Sequence, residues 1–146
     1  MIEMQRIALV TGGSRGLGRS TAESLAKKGV DVVITYMTRA DEAQKVVADL
    51  RAQGRRAVAL QLDTSRVGLF GTFADQLGHV LHHTWGRETF DYLVNNAGTG
   101  FHKSILDTTE ADFDALVSEN LDIVFWSVFT GGLTSRPIVT WRLTSR

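Results

Sequence analysis

Short apolar runs alternate along the chain with longer segments whose apolar residues recur at helical spacing. "RIALV" (Arg6–Val10) is short, apolar and followed by glycines, which predicts a buried strand. "LGRSTAESLAKKG" follows, with Leu17, Ala22, Leu25 and Ala26 near one helical stripe and Gly29 as a stop. "VDVVITY" (Val30–Tyr36) is β-branched and predicts a second strand. "ADEAQKVVADLRAQG" is helical, with Ala43, Val46, Val47 and Leu50 on one face and Gly54 at its end. "RAVALQLD" (Arg56–Asp63) reads as a third strand, and Phe70, Phe73, Leu77, Val80 and Leu81 mark the next helix. "FDYLVNN" (Phe90–Asn96) is a fourth strand. "TEADFDALVSENLDIVFWSVF" reads as one long helix, opened by a Thr109–Asp112 capping pair.

Strands that are apolar almost throughout, alternating with helices, predict a parallel sheet with helices on both faces. Right-handed crossovers and a doubly wound order of 3-2-1-4 are the natural solution. The length of 146 residues suits one domain, and 43% apolar with 22% charged residues is ordinary for a globular chain. The formal net charge is zero, so no field of one sign draws the chain to nucleic acid or an acidic membrane. There is no cysteine, which removes disulfides, thiolate nucleophiles and Cys-type zinc sites together. The apolar run near the N-terminus is too short for a signal peptide and no stretch approaches a membrane span, so a cytoplasmic chain is the expectation.

The chemistry concentrates after the first strand, in "TGGSRGLG" (Thr11–Gly18). Gly12, Gly16 and Gly18 fall where a strand turns into a helix. Glycines there permit a tight turn, let backbone approach a pyrophosphate, and let the helix pack close to the strand. Unpaired N–H groups and the helix dipole then favour phosphate.

This turn, with "LD" at Leu62–Asp63, "NNAG" at Asn95–Gly98 and Asn120 within "SENLDIVF", resembles the short-chain dehydrogenase/reductase family. The turn matches that family's T-G-x-x-x-G-x-G pattern. The resemblance covers about Ile7 to Trp126 and corresponds to the front part of a typical member. It implies a Rossmann-like fold and a nicotinamide dinucleotide as partner. Gly12, Ser14, Arg15, Gly16, Leu17 and Gly18 would then wrap the pyrophosphate and adenosine ribose, with Tyr36 and Arg39 at the end of the second strand also on the cofactor. Asp63 and Thr64 would hold adenine; Asn96, Ala97 and Gly98 would line the nicotinamide ribose, with Asn95 structural. Asn120 would be the asparagine of the catalytic tetrad.

NAD specificity usually needs a carboxylate about twenty residues past the glycines, bonded to the ribose 2′-hydroxyl. Here the second strand ends "ITYMTR", without an acid at Thr35, Tyr36, Met37 or Thr38, and Asp31 belongs at the strand's far end. Arg15 in the turn and Arg39 beyond the strand suit a 2′-phosphate, so NADP(H) is expected over NAD.

The family's reaction is hydride transfer at a carbonyl or alcohol carbon, with the proton passed by a tyrosine that a lysine four residues later assists. The sequence has two tyrosines; Tyr36 is followed four places on by Ala40 and Tyr92 by Asn96, so Y-x-x-x-K is absent. Ser135 and Ser145 are poor candidates for the family's serine. Loss of a positioned general acid removes about 10²–10⁴ in rate. A truncated, catalytically incompetent relative is therefore expected, or a nucleotide-binding or interaction module acting with another subunit.

Residues 1–129 read as a partial dinucleotide-binding domain and 130–146 as an atypical tail, in which "LTSR" occurs twice. Either a frameshifted ending or a short fifth strand, "PIVTWRL", accounts for the tail. An incomplete sheet exposes an apolar edge and the Phe113–Phe129 side of the last helix, which predicts homo-oligomerisation or aggregation. His79, His82 and His83 read as a solvated helix face and no metal site is expected.

Overall fold

The computed structural model describes residues 5–100 and 103–124. The tail, its proposed fifth strand, Trp126, Ser135 and Ser145 lie outside the described residues.

Among the described residues four strands and four main helices alternate: β1 (Ile7–Val10), α1 (Gly16–Lys27), β2 (Asp31–Tyr36), α2 (Ala40–Ala52), β3 (Ala57–Gln61), α3 (Phe70–Trp85), β4 (Tyr92–Val94) and α4 (Glu110–Val117). The sheet has the order β3-β2-β1-β4. Every pairing is parallel, as the apolar runs predict.

Successive residues along β1 and β2 point to opposite faces, and the core divides accordingly. Val10, Val32 and Ile34 pack with Ala22 and Ala26 of α1 and with Ala43, Val46, Val47 and Leu50 of α2. On the other face Ile7, Leu9, Val33 and Leu93 pack with Phe70, Phe73, Leu77 and Leu81 of α3 and with Ile123 beyond α4. The helical faces read from the sequence are these, with two corrections. Val80, placed on the α3 stripe, is only half-buried and belongs to neither core cluster. Leu17, placed on the α1 stripe, sits in the first turn of α1 and is 58% exposed, whereas Ala22 and Ala26 further along the helix are buried.

The strands are shorter than the apolar runs that announce them. Phe90 is buried yet precedes the β4 ladder, and Leu62 is buried just past β3. The long last helix is interrupted as well. After α4 the chain takes a wider π-type turn at Ser118–Asp122, where Ser118 Oγ donates to Asp122 Oδ2 at 2.7 Å. Such a turn changes which side chains face the sheet and is frequent at functional sites. The α4 start is as expected: Thr109 Oγ1 accepts from Asp112 N at 3.2 Å while the Asp112 carboxylate accepts from Thr109 N at 2.9 Å. Among the described residues no helix is long and apolar enough to cross a membrane.

Candidate functional site

Parallel pairing in this register brings the strand ends level: Val10 lies opposite Ile34 on one side and Val94 on the other. The loops leaving β1, β2 and β4 therefore share one edge. The β1 exit leads to α1 on one face, and the β4 exit leads towards α4 and Ile123 on the other. This divergence marks a topological switch point at the carboxyl ends of the strands, the usual place for a ligand in an open parallel sheet.

The glycine turn is pinned from both neighbouring strands. From β2, Thr35 Oγ1 accepts the Gly12 N–H at 3.1 Å and Thr35 O accepts the Gly13 N–H at 2.9 Å. From the β4 exit, Asn96 Nδ2 donates to Thr11 O at 3.1 Å and Gly12 O at 3.2 Å. Buried Thr11 reciprocates: its Oγ1 accepts the N–H groups of Asn96 and Ala97, each at 3.0 Å. Backbone and hydroxyl groups thus satisfy one another and fix the turn without charge.

Gly12 and Gly16 have φ of +66° and +55°, the left-handed region that other residues occupy at a cost. Gly18 is required for a different reason. A Cβ there would collide with the Gly12 carbonyl oxygen and lie 2.5 Å from Asn96 Nδ2. Gly13, a mere spacer in the sequence pattern, is equally constrained, since its Cβ would sit 2.6 Å from Ile34 Cγ2. The doublet "GG" was the signal for it.

Electrostatics set this helix start apart from those of α2 and α4. The first turn of α1, like that of α3, has no acidic residue, whereas α2 begins with Asp41 and Glu42 and α4 with Glu110 and Asp112. The helix dipole of α1 is uncompensated by its own side chains, and exposed Arg15 precedes it with no side-chain capping bond. Backbone approach, N–H groups at a helix start and a guanidinium together form a cradle that fits a pyrophosphate.

The remaining residues named from the sequence surround this turn or its neighbours at the same edge. Ser14 is half-buried within the turn, and Leu17 is exposed beside it. Tyr36 closes β2, half-buried, with its carbonyl accepting Leu62 N at 2.9 Å. Arg39 precedes α2 and pairs with Glu42 at 2.7 Å. Asp63 Oδ1 accepts from Ser65 N at 3.0 Å and Ser65 Oγ at 2.6 Å, which shapes the β3 exit. Thr64 Oγ1 donates to Glu119 O at 3.2 Å and so ties that exit to the π-type turn. Asn120 Nδ2 donates to Thr99 O at 3.0 Å and Leu116 O at 2.7 Å, and a Cβ on Gly98 would collide with its Oδ1. The fold thus brings Asp63, Thr64, Gly98 and Asn120 towards one another from three elements. Thr35 and Gly13 are the supporting residues that motif spacing missed, and Thr11, the first residue of the motif, holds the turn from within it. His79, His82 and His83 are exposed on α3.

Comparison with known proteins agrees with this geometry. The family model described as short chain dehydrogenase matches residues 6–131. The chain is 35% identical over 122 residues to a hydroxynaphthalene reductase-like protein, Arp2, of Metarhizium majus, covering 83% of this chain and 43% of that protein. Among solved structures it is similar to a short chain dehydrogenase from Burkholderia cenocepacia in complex with NADP, at 41% identity and a TM-score of 0.72, covering 84% of this chain and 48% of that one. It is similar also to the landomycin C-6 ketoreductase LanV with bound NADP and rabelomycin, at 33% identity and a TM-score of 0.79, covering 83% and 49%. The chain spans under half the length of these relatives. The matched residues, the parallel 3-2-1-4 sheet and the pinned glycine turn agree, and the chain belongs to the short-chain dehydrogenase/reductase family.

Proposed function

We propose that the chain binds NADP(H) along the carboxyl edge of the sheet as part of an oxidoreductase and that it does not by itself complete hydride transfer. The observation that carries the binding half is the glycine turn, pinned by Thr35 and Asn96, at a helix start with no acid of its own. The NADP-bound relatives support the choice of cofactor. In this reading Gly12 to Gly18 hold the pyrophosphate through backbone N–H groups. Arg15 and Arg39 meet the 2′-phosphate, Tyr36 lies against the adenosine ribose, and Asp63 and Thr64 accept adenine. Ala97 and Gly98 admit the nicotinamide ribose, with Asn96 holding that wall to the turn. When bound, the dinucleotide supplies the hydride.

The proton side of the reaction supports the second half. Asn120 has no titratable group to pass the proton, and its amide nitrogen donates to Thr99 O and Leu116 O, which ties the β4 exit to the end of α4. Tyr92 stands at the start of β4, at the opposite edge, where its hydroxyl accepts from Arg6. Tyr36 belongs to β2. No tyrosine of the sequence is followed four places on by lysine.

Titration with NADPH and NADH, followed by a carbonyl-reduction assay, tests both halves. Saturable NADPH binding, tighter than NADH by about tenfold for a charge-assisted contact, with no carbonyl reduction, is the expected result. Equal or NADH-biased affinity overturns the cofactor preference, and robust reduction by the purified chain overturns the catalytic half. Exposed Ile105, Leu106 and Phe113 favour a second reading, a nucleotide-binding module that associates through the α4 side with another copy or subunit. A monodisperse monomer on sizing chromatography argues against it.

A further inference from the structure

Arg39 is already engaged. Its Nη2 lies 2.7 Å from Glu42 Oε1 and its Nε 3.8 Å from Asp41 Oδ1. Both acids stand in the first turn of α2, where they complement the helix dipole. They differ in what they depend on. The Asp41 side chain is 66% exposed and its contact is long, so water screens it. The Glu42 side chain is 30% exposed, and its Oε2 is shielded from solvent and accepts no hydrogen bond among the described residues. A partly desolvated carboxylate whose partner is withdrawn loses more than an exposed one does.

We infer that Glu42 is a specificity-determining residue, an internal carboxylate holding the Arg39 guanidinium that a ribose 2′-phosphate must recruit. This rests on the reading that Arg39 meets that phosphate. A phosphate monoester carries greater charge and more acceptor oxygens than a carboxylate, so it can take over the guanidinium; a 2′-hydroxyl cannot. Glu42 opposes the exchange twice, by losing its partner and by standing as a like charge beside the newcomer. Both costs fall on NADPH alone. The chain therefore discriminates between the two cofactors less sharply than its arginines allow, and Glu42 sets by how much. Through Arg39 it is a positioning residue and touches no reacting atom.

The test titrates NADPH and NADH into the full chain and into Glu42→Gln, Asp41→Asn, Arg39→Ala and the Glu42→Gln/Arg39→Ala double variant, with a thermal melt of each. Glu42→Gln is expected to tighten NADPH about fivefold, the upper end for a lone ion pair, and to leave NADH unchanged. Asp41→Asn is expected to change NADPH less than about twofold. The gain must vanish when Arg39 is absent. Glu42→Ala, which cannot reproduce the hydrogen bond, must move NADPH in the same direction. Unchanged or weaker NADPH binding by Glu42→Gln, while Arg39→Ala still weakens it, overturns the role of Glu42 and spares that of Arg39. A gain that persists without Arg39 overturns the holding mechanism. An Arg39→Ala variant with unaltered NADPH affinity, or no NADPH binding by the unaltered chain, overturns the underlying reading and this inference with it.

Discussion

The two edges of the same sheet solve opposite problems with the same strands. At the amino edge, charge is buried and answered from within. Asp31 opens β2 with its carboxylate accepting Arg56 N at 2.9 Å, Arg56 Nε at 3.0 Å and Trp85 Nε1 at 2.8 Å. Asp91, just before β4, accepts Ile7 N at 2.9 Å and a two-pronged contact from Arg87 at 3.0 and 3.1 Å. At the carboxyl edge the turn is held by neutral groups, and its helix start has no carboxylate. A charge that is satisfied internally stabilises the fold, and a dipole left without one can serve a ligand. The difference places stability at one edge and recognition at the other.

Substitutions should separate the two edges. The largest effect on stability is expected from Asp31→Ala. It removes the buried acceptor shared by the Trp85 indole, the Arg56 backbone N–H and the half-exposed Arg56 guanidinium, and about 3 kcal/mol of a total near 5–15 is a reasonable cost. Chemical denaturation measures it, and NADPH affinity per folded molecule should stay within about twofold, since the opposite edge is untouched. A binding loss that outruns the unfolding would show the edges to be coupled. Gly18→Ala comes next. The added methyl must displace the Gly12 carbonyl or the Asn96 amide, costing about 2 kcal/mol of overpacking strain. Here binding should suffer beyond stability, with NADPH affinity down by more than about tenfold for a wall shifted against the pyrophosphate.

The recognising edge was legible in the sequence largely because its chemistry is local. Thr11 to Gly18 are consecutive, and a glycine run between a strand and a helix announces itself. The core faces were legible too: Ala43, Val46, Val47 and Leu50 recur at helical spacing and are buried. The stabilising edge was not. Asp31 and Trp85 are 54 positions apart, and nothing in either neighbourhood points to the other. Strand ends were over-read for a related reason: Phe90 is apolar and buried, but hydropathy does not distinguish a ladder position from the residue leading into it. The π-type turn is not legible because one extra residue in a helical turn leaves composition unchanged.

Thr35 lies between the two extremes, as a β2 residue whose value appears only once strand and turn are paired. Thr35→Val keeps the shape and removes the acceptor of the Gly12 N–H, so a loss of about 1 kcal/mol is expected, with Thr35→Ser restoring it. NADPH affinity should fall by about two- to fivefold, because a loosened turn must be re-ordered on binding. An unchanged affinity would mean that Asn96 and the Thr35 backbone carbonyl suffice to hold the turn.

The smallest effect concerns the α4 cap, where an acid is engaged as at the amino edge but at the surface. The Asp112 carboxyl is lowered to about 2 by its bond to Lys103 first, and then by the Thr109 backbone and hydroxyl. Lys103 Nζ approaches it to 2.7 Å, and Thr109 N to 2.9 Å. Unfolded aspartate titrates near about 3.9, so between these values the unfolded chain binds more protons than the folded one. The contribution of the cap is therefore complete above about pH 4 and is lost as pH falls towards 2. α4 has no buried residue of its own, which makes it a unit that opens locally before the sheet does. Amide exchange of Ala111 to Asp114, compared at about pH 5 and pH 3 after correction for intrinsic rates, should show protection falling with acid. Asp112→Asn should flatten that dependence, and Lys103→Gln should shift it to higher pH. An acid loss that survives Asp112→Asn would assign the titration to another carboxylate and leave the cap a purely hydrogen-bonded device.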